Sequence, residues 1–249
     1  LMSESSVANG RITETNFHLL HMPKIVHMPK VETVIQPTYD FWGGVGEPTM
    51  ARTGMVAGDT CHLDVIDRHG NMVSATPSGG WLQSSPVIPE LGFPLGSRAQ
   101  MFWLDEGLPG SLAPGKRPRT TLSPSFAFRD GEPYMPFGTP GGDGQDQWQI
   151  VFFLRHAQHG MNLQEAIDAP TFQSSHFPSS FYPRQAEPGR LTVEGRMAAE
   201  TVMELRRRGH RVDIGGDWSQ GRLSACAKDG DVLKAAANPR LMQGYAAGR

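Results

Sequence analysis

Three segments of this chain repeat one plan, an alternating run, a tight turn and a second alternating run, and this repetition limits the fold more than any other feature. Cys61 to Asp67 alternates, Arg68-His69-Gly70-Asn71 turns, and Met72 to Thr76 returns. Ser125 to Arg129 and Tyr134 to Phe137 flank Asp130-Gly131-Glu132-Pro133, and Leu223 to Lys228 and Asp231 to Ala236 flank Asp229-Gly230. Asp-Gly and similar pairs between alternating runs are strong hairpin signals, because glycine takes the positive φ such turns require. Three antiparallel hairpins therefore predict a twisted antiparallel sheet system.

Helical patterns lie between the hairpins. Gln147 to Gln158 is apolar on several faces, as expected of a helix buried between layers. Asn162 with Glu165 forms a capping-box start for a short helix that ends before Pro170. Gly195 to Arg208 sets Ala198, Val202 and Leu205 on one face, with Gly209 as its C-cap. Hairpins with separate helices predict an α+β layered domain. Residues 1–59 read differently. They carry the near-repeat His21-Met22-Pro23-Lys24 and His27-Met28-Pro29-Lys30, then Gly43-Gly44-Val45-Gly46. Without sustained periodicity, this stretch is expected to be an extended or mobile tail.

Composition removes several functions. The formal net charge is only -2, and Arg206-Arg207-Arg208 reads as a solvated helix end, so no nucleic-acid partner is expected. No apolar run reaches the length of a membrane span, so none is expected in the covered chain. The opening Leu1-Met2-Ser3-Glu4 carries no recognisable leader, and targeting is left unassigned. Two cysteines, Cys61 and Cys226, make no disulfide framework. The histidines lack metal-ligand spacing, so neither metal nor cofactor is expected.

Gly58-Asp59-Thr60-Cys61-His62 sits where the tail meets the first hairpin strand. Cleavage of the Asp59–Thr60 bond would give Thr60 a free α-amine beside its hydroxyl. An α-amine titrates at roughly pH 8, so it can serve as general base to that hydroxyl. Read alone, Thr60 is more simply an ordinary strand-entry residue, since threonine is commonplace at a strand start. Cys61 is a rival nucleophile, but alternation points its side chain to the opposite face. Gly138-Thr139-Pro140-Gly141-Gly142-Asp143 joins a strand to a helix. Its paired glycines let backbone N–H groups approach an oxyanion; the same turn could cradle a phosphate, but it lacks a Gly-Lys-Ser/Thr ending. Pro114 to Pro124 places Thr120 and Thr121 between a basic turn and a strand.

Taken together, Thr60 with His62, Asp67 to Asn71, Lys116-Arg117-Pro118, Ser123-Pro124, Gly138 to Gly142 and Ala237-Asn238-Pro239-Arg240 resemble the gamma-glutamyltranspeptidase family. The resemblance runs from about Gly58 to Gly244. It implies the four-layer αββα sandwich of N-terminal-nucleophile hydrolases, about half of it supplied by this chain. It also implies a precursor that cuts itself before the nucleophile. Residues 1–59 would end the large subunit, and residues 60–249 would form the small catalytic subunit. The partners implied are that large subunit and a small γ-glutamyl or dicarboxylic acyl amide, and higher oligomers stay open. Many family members are periplasmic or secreted, which leaves the compartment of this chain unassigned. Carried over by position, Thr60 is the nucleophile, Ser78 falls where a threonine bonds its amine, and Gly141 and Gly142 form the oxyanion hole. Thr120 and Thr121 fall on a serine pair that holds the substrate carboxylate.

The chain also departs from that pattern. Gly80 stands where the family carries asparagine, and Arg98-Ala99-Gln100-Met101-Phe102 replaces a glutamine and an acidic run that bind an α-ammonium. A buried ammonium needs acceptors, whereas Arg98 suits a carboxylate. These changes resemble a divergent, acylase-like branch. The function expected is hydrolysis or transfer of a γ-glutamyl or related acyl group. A glutaryl or β-lactam side-chain acylase is the alternative, and a non-catalytic relative kept for binding or assembly is the reading from another class.

Overall fold

The computed structural model describes residues 60–79, 87–181, 183–240 and 244–248, together with the backbone of strands at 4–8, 11–15 and 17–21. In chain order the strands begin with β1 (Glu4–Ala8), β2 (Arg11–Thr15), β3 (Phe17–His21), β4 (Leu63–Ile66) and β5 (Met72–Ala75). Next come β6 (Val87–Ile88), β7 (Phe93–Pro94), β8 (Ser125–Arg129) and β9 (Glu132–Gly138). Helices α1 (Gln145–Ala157) and α2 (Leu163–Asp168) precede β10 (Phe172–Ser174) and β11 (Arg190–Val193). Helix α3 (Ala199–Arg207), β12 (Arg211–Ile214), β13 (Ser224–Asp229) and β14 (Val232–Ala237) complete the order.

All three expected hairpins form, as β4–β5, β8–β9 and β13–β14. The last two join in one five-stranded sheet of order β14-β13-β9-β8-β3. One face of this sheet packs on α1 and α2, where Met135, Phe137, Trp148, Phe152, Ile167 and Ala225 belong to a single buried cluster. The β4–β5 hairpin covers the other face, and Ser74 Oγ donates to the Phe137 carbonyl at 3.3 Å. Strand β9 is thus covered on both sides, which accounts for its unbroken buried run from Tyr134 to Gly138. The layers are helix, sheet and hairpin, in an α+β arrangement.

Asn162 and Glu165 make the expected capping box, each side chain bonding the other's backbone N–H. Helix α1 starts two residues earlier than its apolar pattern, because Gly142–Gly144 forms a 3-10 turn that leads straight into it. Helix α3 starts later than expected, since Glu194 and Arg196 are held by contacts outside the helix.

Two features depart from the sequence expectation. Residues 17–21 were expected in a tail without strand character, yet β3 pairs antiparallel with β8 along the sheet edge, and β1 pairs with β2. Edge pairing is made by backbone N–H and C=O groups, so it needs no alternating side-chain pattern. A second sheet, β10-β11-β12, is mixed: β11 and β12 are parallel, with α3 as their crossover. Its strands are too short for their alternation to stand out. Leu191, Val193, Val202 and Val212 give this sheet and α3 a small core of their own.

Glu194 ties that unit to the rest. Its carboxylate is fully buried and accepts Arg240 Nε at 2.8 Å and Nη2 at 2.9 Å, and Arg196 Nη2 at 3.0 Å. The amides of Thr171 and Gln220 also donate to it, each at 3.1 Å. Arg240, 1 % exposed, spends another donor on the Ile167 carbonyl at 2.8 Å. Burial by itself would raise the Glu194 pKa, but Arg240 and the two amides hold it below the ordinary value. A carboxylate with a depressed folded pKa adds stability above its unfolded pKa and loses it as pH falls through the folded value. Arg240→Ala should therefore cost about 3–5 kcal/mol near neutral pH, because it strands a buried charge. The loss should shrink once Glu194 is protonated, and urea unfolding of both proteins at about pH 7 and about pH 4 checks both points.

Candidate active site

The β4–β5 hairpin brings the site together. Its register pairs Leu63 with Ala75, and extended three residues outward it sets residue 60 opposite residue 78. There the buried Thr60 Oγ1 lies 2.6 Å from Ser78 Oγ. Arg98, in the 3-10 turn Ser97–Met101, donates from Nη2 to the same Ser78 oxygen at 2.7 Å. Its guanidinium also lies 5.9 Å from the centre of the Phe181 ring. Three of the residues singled out in the sequence are thus joined in a row. Asp59 and Gly80 lie outside the described residues.

His62 and Asp64 follow Thr60 at strand spacing and face inward. His62 Nδ1 lies 2.7 Å from Thr76 Oγ1, and Nε2 lies 3.0 Å from both Asp64 oxygens. Asp64 also accepts from Ser224 Oγ at 2.8 Å, so the pair spans from β4 to β13. The imidazole rests on Gly138, where an added Cβ would come within 2.3 Å of the ring. Cys61, between Thr60 and His62, is exposed, as alternation requires. Sequence reading noted His62 only as part of a motif and missed its partner, although an i, i+2 polar pair inside an alternating strand is a visible signal.

The glycine turn starts where β9 ends. Gly141 has φ 134° and Gly142 φ 53°, both in the region that favours glycine. A Cβ on Gly141 would come within 2.2 Å of the Trp148 ring, which roofs the turn and donates to the Phe172 carbonyl at 3.0 Å. Asp143, next in the chain, accepts from Ser180 N at 2.8 Å, from Ser179 Oγ at 3.2 Å and from Ser180 Oγ. Pro140, just before the glycines, shares with Thr60 the wall of a cavity of about 470 Å³, which His62, Cys226, Asn238 and Tyr245 also line.

Helix α1 fixes the threonine pair. Gln145 and Gln149, one turn apart, both bond Ser123, and Gln149 also accepts from Ser125 Oγ at 2.6 Å. Thr120 Oγ1 accepts from Leu122 N at 3.0 Å. Thr121 Oγ1 is buried with no hydrogen-bond partner among the described residues, which suits a hydroxyl kept for a ligand. The two glutamines were missed in the sequence, though polar residues at i, i+4 in a largely buried helix mark a shared contact.

Residues 30–248 match the family model Gamma-glutamyltranspeptidase. The chain belongs to the gamma-glutamyltranspeptidase family. Among curated relatives, the glutathione hydrolase-like YwrD proenzyme of Bacillus subtilis (strain 168) is 34% identical over 76% of this chain and 36% of its own length. The oxamate amidohydrolase proenzyme of Klebsiella pneumoniae subsp. pneumoniae is 30% identical over 99% of this chain and 44% of its own. The solved structure of LmbA2991HD superposes with TM-score 0.71 at 65% identity, covering 76% of this chain and 34% of that one. A cephalosporin acylase from Bacillus halodurans gives TM-score 0.61 at 28% identity, over 74% and 33%. The chain thus spans less than half the length of these curated relatives. Its α+β fold is shared with gamma-glutamyltranspeptidases and acylases, and the family is one of hydrolases and transferases made as proenzymes.

The two cysteines near Thr60 differ sharply. Burial, and secondarily the Asp64 charge, push the Cys226 thiol up to about 11, whereas Cys61 is exposed. In a preparation of the 249-residue chain alone, iodoacetamide at about pH 8 should alkylate Cys61 well before Cys226, because the thiolate is the reactive form. Peptide mass mapping of a time course measures the order.

Proposed function

We propose that this chain carries the catalytic part of an amidohydrolase or acyltransferase that cuts itself between Asp59 and Thr60 and then uses Thr60 as its nucleophile. One observation carries the reading: a buried threonine at the mouth of the first hairpin has its hydroxyl 2.6 Å from Ser78. In the mature enzyme Thr60 Oγ attacks the amide carbonyl while the Thr60 α-amine takes the hydroxyl proton. Backbone N–H groups of Gly141 and Gly142 hold the oxyanion, the amine leaves with the proton, and water or an acceptor amine resolves the ester. No cofactor takes part in this scheme.

Residues 60–249 then form the small subunit, and residues 1–59 belong to the large-subunit side of the cut. The remainder of the precursor completes a four-layer αββα sandwich over the outer face of β4–β5. Leu63, Val65 and Val73 on that hairpin are 45%, 49% and 50% exposed, which fits a face covered by further chain. Thr60→Ala should leave an uncut precursor without amidase activity, and Thr60→Ser should cut slowly and keep some activity. Normal cleavage of the alanine variant, seen by intact mass, would remove Thr60 from the role.

For substrate, the reading is a γ-glutamyl or related dicarboxylic acyl amide. Arg98 favours the second kind, because its guanidinium reaches Ser78 and lies close to where the acyl group must sit. Thr120, Thr121 and Arg98 would then hold the substrate carboxylate. The oxamate amidohydrolase and cephalosporin acylase likenesses support a pocket altered away from the free glutamyl amine. The enzyme should turn over glutaryl-p-nitroanilide faster than γ-glutamyl-p-nitroanilide. Arg98→Ala should weaken glutaryl binding roughly ten- to a hundredfold, the usual effect of losing a charge-assisted hydrogen bond. A preference for the γ-glutamyl amide would place specificity elsewhere.

A further inference from the structure

The row Arg98–Ser78–Thr60 starts from a fixed donor. A guanidinium only donates, so Ser78 Oγ must accept from Arg98 Nη2 at 2.7 Å. The serine's own proton then points away from Arg98, and Thr60 Oγ1, at 2.6 Å, is within reach of it, although either of the two hydroxyls can donate to the other. When Ser78 is the donor, the Thr60 proton is turned away from Ser78, toward the group that removes it. A cation two hydrogen bonds from the nucleophilic oxygen also strengthens the serine as a donor.

The surroundings hold this arrangement from three sides. Gly79, at φ 75°, lets the chain after Ser78 press against the Arg98 turn: a Cβ there would meet Ser97 Oγ at 2.9 Å and Arg98 Nε at 3.6 Å. Arg184 donates from Nη2 to the carbonyls of Gln100 at 3.4 Å and Phe102 at 2.8 Å, fixing the turn that bears Arg98. The Arg184 guanidinium also stacks on Trp103 at 4.6 Å and donates to the Ser180 carbonyl. Ser180 in turn bonds Asp143, beside the glycine turn. Ser179, Ser180 and Arg184 therefore tie the Arg98 turn to the glycine turn.

We propose that Arg98 is a positioning residue for the nucleophile, acting through Ser78 to direct a proton at Thr60 Oγ1 and to stabilise that oxygen as it loses its own. The inference rests on Thr60 being the nucleophile and adds a role to Arg98 that needs no substrate carboxylate. It therefore governs self-cleavage as well as turnover. In self-cleavage Thr60 Oγ bonds to the Asp59 carbonyl carbon, the C–N bond breaks, and the hydroxyl proton goes to the departing Thr60 nitrogen. Water then hydrolyses the ester to the Asp59 carboxylate and the Thr60 hydroxyl. No outside acyl group is present in that reaction, so it separates this role from substrate binding.

The test follows cleavage of the full-length precursor after synthesis in vitro, by intact mass, across roughly pH 5–9. Arg98→Gln should slow cutting at neutral pH at least about tenfold, the scale of one charge-assisted hydrogen bond, and move its rise to higher pH. Arg98→Lys should keep part of the rate, because a donor and a charge remain, and it carries the same reading if the glutamine variant does not fold. Ser78→Ala should also slow cutting, and adding Arg98→Gln to it should cause little further loss. An unchanged rate and pH profile in both Arg98 variants, or fully multiplicative losses in the double variant, would overturn the proposal while leaving Thr60 as nucleophile. A wild-type precursor that never cuts before Thr60 would overturn both.

Discussion

The seat of His62 on Gly138 is the constraint on which the site depends. The strand that follows Thr60 and the strand that leads to the glycine turn belong to different sheets, and sheets packed face to face usually stand about 10 Å apart. Here an imidazole fills the gap against a residue with no side chain, and any Cβ at Gly138 would collide with it. The ring is gripped at both nitrogens, by Thr76 and by Asp64, so its plane is fixed. Since Asp64 also bonds Ser224, one polar group sets the depth of β4 over both β9 and β13. The position of Thr60 at the end of β4 follows from that depth.

The opposite side of the five-stranded sheet uses different physics. There the helices pack through aromatic and aliphatic side chains, and most of the polar groups that intrude are matched, Gln145 Nε2 and Thr121 Oγ1 being exceptions among the described residues. Gln145 and Gln149 secure the segment that enters β8, and Trp148 between them roofs the glycine turn while its N–H reaches Phe172. A single helical turn thus shapes both the approach to Thr121 and the curve of Gly141–Gly142. Buried polar groups of this kind specify one arrangement, because alternatives would leave donors or acceptors unmatched.

Much of this was legible in the sequence, for reasons that differ by element. Asp130-Gly131 and Asp229-Gly230 marked their turns because positive φ has few residue solutions, and the Asn162–Glu165 cap was visible because both partners lie within one helical turn. Thr60, Ser78 and Arg98 could each be singled out by position, but not their contact, since it depends on a hairpin register and on a loop that folds back from residue 98. The mixed sheet was invisible because its short strands β10, β11 and β12 are stabilised by one another. Edge strand β3 was missed for a similar reason: its partner is remote, and strand pairing runs through backbone groups that leave no mark in the side-chain pattern. Arg240 was seen as part of a motif, while its buried partner Glu194 lay in a segment with no pattern of its own.

The division into two cores has a dynamic consequence. The sheet of β10, β11 and β12 with α3 encloses its own apolar cluster and meets the main body through the Glu194 carboxylate and its arginines, and through hydrogen bonds between β10 and Gln147 and Trp148 of α1. Units joined in this way open as separate cooperative pieces, at a lower free energy than global unfolding. Amide protons of α3 and β12 should then exchange with solvent as a group, ahead of those in β8 and β9. Ser179, Ser180 and Arg184 lie between β10 and β11 in the chain, so each such opening would loosen the seat of Arg98 while the His62 layer stays closed. The candidate site therefore spans two regions of unequal rigidity, with Thr60 anchored in the stiffer one and Arg98 tied to the softer.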